Sequence, residues 1–244
     1  MKFLLTAINA KFIHSNPAIY SLRAGAGEKL QPYVELAEFT INESLESILE
    51  GIWKRQPKVI GFSCYIWNWK LIREILTELP KILPDTEIWL GGPEVTYDGP
   101  GLLREFPQVT GIMVGEGEVT FREVLEQYLR EAETAGQSEQ QPESDSTEHQ
   151  VADRRGTVAG KSMVERFGQI PGLCLASGYT APRDLTDLTT LPFLYEDMEP
   201  FTNRIIYYET SRGCPYRCSY CLSSIDKKVR LRDISVVKLS LIHI

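Results

Sequence analysis

The sequence predicts an α/β fold in which helices cover both faces of a parallel sheet, and three observations support it. Short apolar segments alternate with longer segments whose apolar residues recur at helical spacing. Five such strand–helix units fill about the first 130 residues, which favours a flavodoxin-like doubly wound sheet over a six-stranded dinucleotide fold. The composition, 43% hydrophobic and 24% charged, is ordinary for a globular protein.

The first unit is predicted from an apolar run and a helix cap. Residues 2–8 form the first strand, and Asn16 is a suitable N-cap because Pro17 follows at the first helical position. The helix is predicted to run to about Arg23 and to end at Gly25 and Gly27.

The second and third units repeat this pattern. Val34–Phe39 is the second strand, and Asn42 is the predicted N-cap of the helix after it. Lys58–Cys64 is the third strand. Pro80 interrupts the apolar face of the following helix, which is predicted to kink or end early there.

The last two strands run into glycine-rich loops. Glu87–Leu90 is followed by Gly91-Gly92-Pro93, and Gly111–Val114 is followed by Gly115-Glu116-Gly117-Glu118. Thr120 and Glu123 have the spacing of a capping box, which predicts a helix start at this point.

The composition changes after Arg130. Residues 131–150 contain six acidic residues and no lysine or arginine, so they cannot bury enough apolar surface to order themselves. Ile170–Ala176 is a candidate hairpin strand, and Ile205–Glu209 is a strand that leads into a cysteine-rich loop. The predicted organisation is a front domain at 1–130, a disordered linker at 131–168, an extended connector at 169–204 and a further domain starting at 205–244.

Charge and hydropathy argue against two classes of partner, nucleic acid and membrane, although a local basic patch remains open. The formal net charge is −7, which argues against a nucleic-acid groove, since phosphates need clustered lysine and arginine. The apolar runs are too short to cross a bilayer, so no membrane partner is expected. The first residues lack a signal-peptide cleavage site, and the predicted location is cytoplasmic.

Three of the five cysteines fall within eight residues, at Cys214, Cys218 and Cys221. This tight group favours a metal site over a disulfide framework. Three thiolates can ligate three irons of a [4Fe–4S] cluster and leave one iron open to a cofactor or substrate. Zinc is the alternative, although structural zinc sites need four ligands and neither Cys174 nor His243 stands at an obvious finger spacing.

The Cys-x-x-x-Cys-x-x-Cys spacing after a strand, with Tyr220 before the last cysteine, resembles the signature of radical S-adenosylmethionine (SAM) enzymes. The resemblance implies that Cys214, Cys218 and Cys221 hold the cluster, that SAM chelates its fourth iron, and that Tyr220 lies against the adenine. It also implies cleavage of SAM to a 5′-deoxyadenosyl radical, with an electron donor such as flavodoxin or ferredoxin. Residues 205–244 would then be the first strand and cluster loop of an incomplete (β/α) barrel.

The front domain resembles the cobalamin-binding domain of cobalamin-dependent radical SAM enzymes over about residues 1–130. Ligands of doubly wound sheets bind beyond the carboxyl ends of the strands, where two of the loops are glycine-rich. The resemblance assigns the following residues to the cobalamin rim: Ser63, Asn68, Gly91, Gly92, Glu94, Gly115 and Glu116.

His14 is a candidate cobalamin contact. Many cobalamin proteins ligate cobalt through a histidine in an Asp-x-His-x-x-Gly context, but here Phe12 replaces the aspartate and Pro17 the glycine. Without a carboxylate to orient the imidazole, axial ligation is disfavoured. Trp67 and Trp69 are candidates either to shield a corrin face or to pack at the rim, whereas Cys64 and Cys174 are expected to be buried small side chains.

The sequence therefore predicts the front part of a cobalamin-dependent radical SAM enzyme, for methyl transfer or a rearrangement. Its catalytic residues and small-molecule substrate are unknown at this point. Two alternatives remain open: a radical SAM protein whose front domain has lost cobalamin, and a non-enzymatic module that holds zinc. A tRNA-modifying enzyme is disfavoured because its front domain would need three cysteines, and only Cys64 precedes the linker.

Only 23 residues follow Cys221, far fewer than a barrel of about 200 residues needs. We therefore expect this chain to be the N-terminal piece of a longer protein. It should bind cobalamin, hold a cluster poorly and be inactive alone.

Overall fold

The structure, a computed structural model, describes residues 2–138, 161–216, 218–222 and 228–242. Seven strands form one sheet in the order β2-β1-β3-β4-β5-β6-β7. Their bounds are β1 Phe3–Asn9, β2 Val34–Thr40, β3 Val59–Ser63, β4 Glu87–Gly91, β5 Val109–Met113, β6 Leu173–Leu175 and β7 Gly178–Tyr179. The first five are parallel, and β6 and β7 join antiparallel. The predicted flavodoxin-like order of the first five strands is confirmed.

Helices cover both faces of this sheet. Their bounds are α1 Pro17–Ala26, α2 Leu45–Trp53, α3 Trp69–Ile82, α4 Gly99–Glu105, α5 Gly117–Ser138, α6 Met163–Phe167 and α7 Ile234–Ile242. Alternate residues of β1 belong to opposite layers. Phe3 and Leu5 pack in one buried cluster with residues of α1 and α5, and Leu4 and Ile8 pack in the other with residues of α2 and α3. No helix among the described residues has the length and hydropathy that a bilayer span requires.

The predicted start of α1 is confirmed, because the Asn16 side chain accepts hydrogen bonds from the N–H groups of Ala18 and Ile19. The predicted stop at Gly27 is confirmed, but the predicted end near Arg23 and at Gly25 is wrong. The helix continues through Gly25, which packs closely against Glu118, and ends at Gly27 with φ of 83°.

The predicted cap of α2 is also wrong, because Ser44 and not Asn42 accepts the hydrogen bond from the Ser47 N–H. Pro80 does not end α3 early. It lies in the last turn of a helix that runs to Ile82, and the buried Leu76 and Leu79 hold that turn against the sheet.

The capping box predicted at Thr120 and Glu123 does not form, because α5 already begins at Gly117. Both side chains instead bind the segment after α6, at Pro171 and Arg183. The Thr120 hydroxyl donates to the Pro171 carbonyl and accepts from Arg183, and Glu123 pairs with Arg183.

The predicted linker at 131–168 is wrong at both ends, and residues 139–160 lie outside the described part of the chain. At its start, α5 continues to Ser138. At its end, α6 buries Arg166 (1% of its side chain exposed) between Glu87 and Glu131. The front domain also does not end at residue 130, because β6 pairs with β5 and extends the sheet.

The hairpin strand predicted within Ile170–Ala176 is confirmed as β6, but the strand predicted at Ile205–Glu209 is wrong. That segment makes one isolated bridge, from Ile205 to His14. The strand before the cysteines is instead β8 Ser211–Arg212, paired antiparallel with β9 Arg230–Leu231. That these residues begin a barrel stays a prediction.

Candidate functional site

A cavity of about 550 Å³ opens at the carboxyl edge of the sheet. Its floor is apolar and comes from the sheet and α1, with lining residues Leu5, Ile19, Phe62, Trp89 and Met113. Its other wall comes from residues 191–232. The lining residues there are Leu191, Leu194, Tyr207, Tyr208, Glu209, Arg212 and Arg232. The cavity therefore lies between the sheet and the segments that flank the cysteine loop.

The structure brings five of the predicted rim residues together here. Ser63, Gly91, Gly92, Gly115 and Glu116 all line the cavity. They meet because β3, β4 and β5 are neighbours in a parallel sheet, so the loops after them leave the same edge.

Two of these glycines are required for different reasons. Gly92 has φ of 111°, and a Cβ there would lie 2.5 Å from the Cys64 carbonyl oxygen, so this loop is packed tightly. Gly115 has φ of 80°, but nothing lies within 4 Å of the position of a Cβ. The Gly115 loop thus borders open space, where a ligand can approach the backbone.

Two other predicted rim residues do not line the cavity. Asn68 is fully buried. Its side-chain N–H groups donate to the carbonyls of Ile8 and Ser63, and its side-chain oxygen accepts from the Tyr65 N–H. This amide braces the loop after β3. Glu94 is exposed outside the lining.

His14 also lies outside the lining, but it contacts a residue of the cavity wall. Its Nδ1 forms a hydrogen bond with the hydroxyl of Tyr207, and the two rings stack with centroids 6.0 Å apart. Tyr207 itself lines the cavity. His14 therefore supports a wall residue, and its predicted contact with a cofactor stays a prediction.

The two tryptophans after β3 differ in position. Trp67 is half-exposed and stacks on Tyr65, a lining residue, with ring centroids 4.4 Å apart. Burial raises the pKa of Tyr65, and the nearby Cys64 adds to this effect. Trp69 instead packs against Phe106 at the start of α3.

The three loop cysteines, Cys214, Cys218 and Cys221, are partly buried and form no disulfide. No group of three or more His, Cys, Asp or Glu side chains in the described ranges is placed to hold a metal. Tyr220 is 90% exposed. The ligand role of these cysteines stays a prediction. As predicted, Cys64 and Cys174 are fully buried, and burial raises the pKa of the Cys64 thiol.

A network of glutamates and arginines connects the cavity wall to the cysteine loop, and the sequence did not predict it. Arg212 pairs with Glu116, Glu118 and Glu209, and Arg230 pairs with Glu116. Both strands that flank the cysteines are thus anchored on the loop after β5. No local signal reveals the pairing with Glu116 and Glu118, because about 100 residues separate these two glutamates from the arginines.

The network controls the ionisation of Glu116. Burial opposes the charged carboxylate, but hydrogen bonds from Arg230 and the Thr186 N–H outweigh it, together with the charge of Arg212. These interactions hold the pKa of Glu116 below its usual value. Glu116 is therefore a lining residue whose charge is already balanced by the protein.

Comparison with known families identifies the first part of the chain. Residues 4–125, half of the sequence, match the B12 binding domain. The chain belongs to the B12-binding domain family. The cavity described above lies at the carboxyl edge of this domain's sheet.

Three relatives in sequence are methyltransferases. Cobalamin-dependent radical SAM methyltransferase TokK from Streptomyces tokunonensis is 28% identical over 68% of this chain and 22% of TokK. The 2-(S-pantetheinyl)-carbapenam-3-carboxylate methyltransferase of Streptantibioticus cattleyicolor is 28% identical over 82% of this chain and 26% of the enzyme. An uncharacterized methyltransferase of Pyrococcus horikoshii is 27% identical over 82% of this chain and 40% of that protein. This chain thus spans less than half the length of each.

The fold is similar to that of OxsB, a cobalamin-dependent SAM radical enzyme solved with aqua-cobalamin and S-adenosylmethionine bound. The TM-score is 0.65 at 17% identity, and the match covers 99% of this chain and 31% of OxsB.

The cavity is compatible with part of a corrinoid. Its volume falls within the range of about 300–1,000 Å³ that is usual for small-molecule sites. An apolar floor suits a flat aromatic group, and the open backbone at Gly115 permits close approach by a bulky ligand. The three loop thiols are the right donors for an iron–sulfur cluster, although the described residues do not assemble them around a metal position.

Proposed function

We propose that this chain is the corrinoid-binding front part of a cobalamin-dependent radical SAM enzyme of the methyltransferase type. The observation that carries the proposal is the cavity at the carboxyl edge of a B12-binding domain, with its apolar floor and glycine-lined rim. The methyltransferase relatives support the type of reaction.

In this proposal the apolar floor, which includes Phe62 and Trp89, receives the aromatic base of the corrinoid nucleotide and excludes water from it. The backbone at Gly91 and Gly115 contacts its polar edge. Trp67 and Tyr65, stacked at the mouth, cover the outer part of the bound ligand.

The role proposed for Cys214, Cys218 and Cys221 is to hold a [4Fe–4S] cluster, with Tyr220 against the adenine of SAM. When bound, these groups supply one-electron cleavage of a sulfonium, and the corrinoid supplies a transferable methyl group. The proposal also requires an external one-electron donor for the cluster, such as flavodoxin or ferredoxin. The protein would hold the corrinoid cavity and the cluster loop on opposite sides of one cavity wall. The pairing of Arg212 with Glu116 and Glu118 would fix that wall.

The corrinoid part is tested with the purified chain and hydroxocobalamin. We expect the protein to stay red through desalting and its tryptophan fluorescence to be quenched, since Trp89 lines the cavity. Gly91→Leu should weaken binding by about tenfold or more, because a Cβ at Gly91 meets only Met113, at 3.8 Å, and the added side chain fills the cavity. Glu94→Leu is the matched control, since residue 94 lies outside the lining. Colourless wild-type protein, or equal retention by Gly91→Leu, would overturn the proposal.

The cluster part is tested separately by anaerobic reconstitution with iron and sulfide. We expect uptake of iron that depends on all three loop cysteines, shown by alanine substitutions. Cys174→Ala is the control, because that thiol is fully buried in β6. Uptake of tetrahedral Zn²⁺ with refusal of iron would support the zinc alternative instead.

A further inference from the structure

Arg232 is a buried arginine that lines the cavity and is only 7% exposed. Within the described residues it forms no ion pair. Every other described arginine that is buried or half-buried pairs with a glutamate. These arginines are Arg23, Arg55, Arg73, Arg166, Arg183, Arg204, Arg212 and Arg230. Arg232 is thus the exception among the described arginines that are buried or half-buried.

The hydrogen bonds of Arg232 do not balance its charge. One terminal nitrogen donates to the carbonyls of Leu191 and Pro192, and its Nε is buried with no acceptor among the described residues. The guanidinium lies over the ring of Tyr208, 5.4 Å from its centroid, and the buried Tyr208 hydroxyl also lacks a described partner. Two carbonyl dipoles compensate a buried cation only in part.

The carboxylates that line the same cavity are already engaged. Glu116 is held by Arg212 and Arg230, and Glu118 and Glu209 are held by Arg212. A counter-charge for Arg232 therefore has to come from outside the described residues. The cavity it lines is the space in which a ligand would bring one.

We propose that Arg232, with Tyr208, forms an anion-binding subsite in the wall of the cavity, for a phosphate or carboxylate group of a bound small molecule. The identity of that ligand rests on the proposed function. The anion comes either from the phosphodiester of a corrinoid nucleotide or from the acidic group of a second small molecule. Both would place a negative charge against the same guanidinium.

The subsite is tested with inorganic phosphate as the probe, on the full chain, at constant ionic strength against chloride. We expect phosphate to raise the melting temperature of the wild type. Arg232→Gln should weaken phosphate binding about tenfold or more, since it removes a charge-assisted hydrogen bond and the lining cation that has no ion pair among the described residues. Arg232→Lys and Tyr208→Phe should bind phosphate at intermediate strength. Arg183→Gln, which removes a half-buried arginine outside the cavity lining, should leave the phosphate effect unchanged.

Two results would overturn the subsite: no phosphate effect on the wild type, or the same effect on wild type and Arg232→Gln. If Arg232→Gln does not fold, Tyr208→Phe with an unchanged phosphate affinity overturns it as well.

The two sources of the anion are separated with hydroxocobalamin and cobinamide, which lacks the nucleotide phosphodiester. If the corrinoid supplies the anion, Arg232→Gln weakens cobalamin binding but not cobinamide binding, and saturating cobalamin abolishes the phosphate effect. If a second molecule supplies it, both corrinoids bind the variant normally and phosphate still stabilises the corrinoid complex. Failure of wild-type protein to bind either corrinoid refutes the proposed function, whereas the phosphate measurement judges the subsite independently.

Discussion

Replacing Arg212 with methionine should destabilise the chain and loosen the cysteine loop. Its terminal nitrogen donates to Glu118 and Glu209 at 2.7 Å each, and a second nitrogen lies 3.3 Å from Glu116. The side chain of Glu118 is 6% exposed and that of Arg212 is 20% exposed. Methionine retains the aliphatic volume but leaves three carboxylates near each other with one cation fewer.

The expected cost is about 2 kcal/mol. Removing one partner of a fully buried ion pair costs about 3–5 kcal/mol, and solvent screening at the exposed fifth of Arg212 reduces this. Arg230 remains on Glu116, and the Ser21 hydroxyl still donates to Glu118, so neither carboxylate is left without a partner. Arg212→Lys keeps the charge but loses the planar fork, so it should cost about half as much.

Urea unfolding at neutral pH measures this cost. The second measurement is the alkylation rate of the loop cysteines, which should rise in Arg212→Met because β8 ends two residues before Cys214. Cys64 and Cys174, both fully buried, are the internal controls in the same alkylation measurement. A loss below about 0.5 kcal/mol with unchanged alkylation would refute the view that this pairing anchors the loop.

Three further substitutions test the packing and the charges. Gly92→Ala should cost roughly 2–4 kcal/mol in urea unfolding, since a Cβ would lie 2.5 Å from the Cys64 carbonyl oxygen and φ is 111°. Glu116→Gln tests the lowered pKa of Glu116: the wild type should be more stable at neutral pH, and the difference should shrink below about pH 4, as the carboxylate is protonated. Arg166→Met should cost about 3–5 kcal/mol, because Glu87 and Glu131 stay buried without their cation.

Each of these predictions has a matched control or a contrary result. For Gly92→Ala the control is Gly27→Ala: Gly27 also has a positive φ, of 83°, but nothing lies within 4 Å of the added Cβ. Gly27→Ala should therefore cost about 1–3 kcal/mol of backbone strain without the steric clash, and less than Gly92→Ala. A stability difference for Glu116→Gln that stays constant from pH 7 to about pH 3 would contradict the lowered pKa. Adding Glu87→Gln to Arg166→Met should recover part of the loss, and a further loss would contradict the assigned pairing.

Much of the candidate site could be predicted because parallel strands place distant residues at one edge. Ser63, Gly91 and Gly115 lie at or just beyond the carboxyl ends of three separate strands, and recognising those strands is enough to expect that they meet. Asn68 shows the limit of this reasoning. Its position in the sequence also suits a rim residue, but its side-chain amide is hydrogen-bonded to backbone groups and does not line the cavity.

The sequence by itself determined the alternation of strands and helices, the cap at Asn16 and the edge of the sheet where a ligand site lies. These features depend on periodicity and on neighbours a few residues apart. Tertiary structure alone decided that Thr120 docks a later segment instead of capping a helix, that Arg166 is buried, and that Arg232 has no counter-charge among the described residues. The physical reason is that the partner of a polar side chain is set by which groups the fold brings within hydrogen-bonding distance, across separations that local patterns do not record.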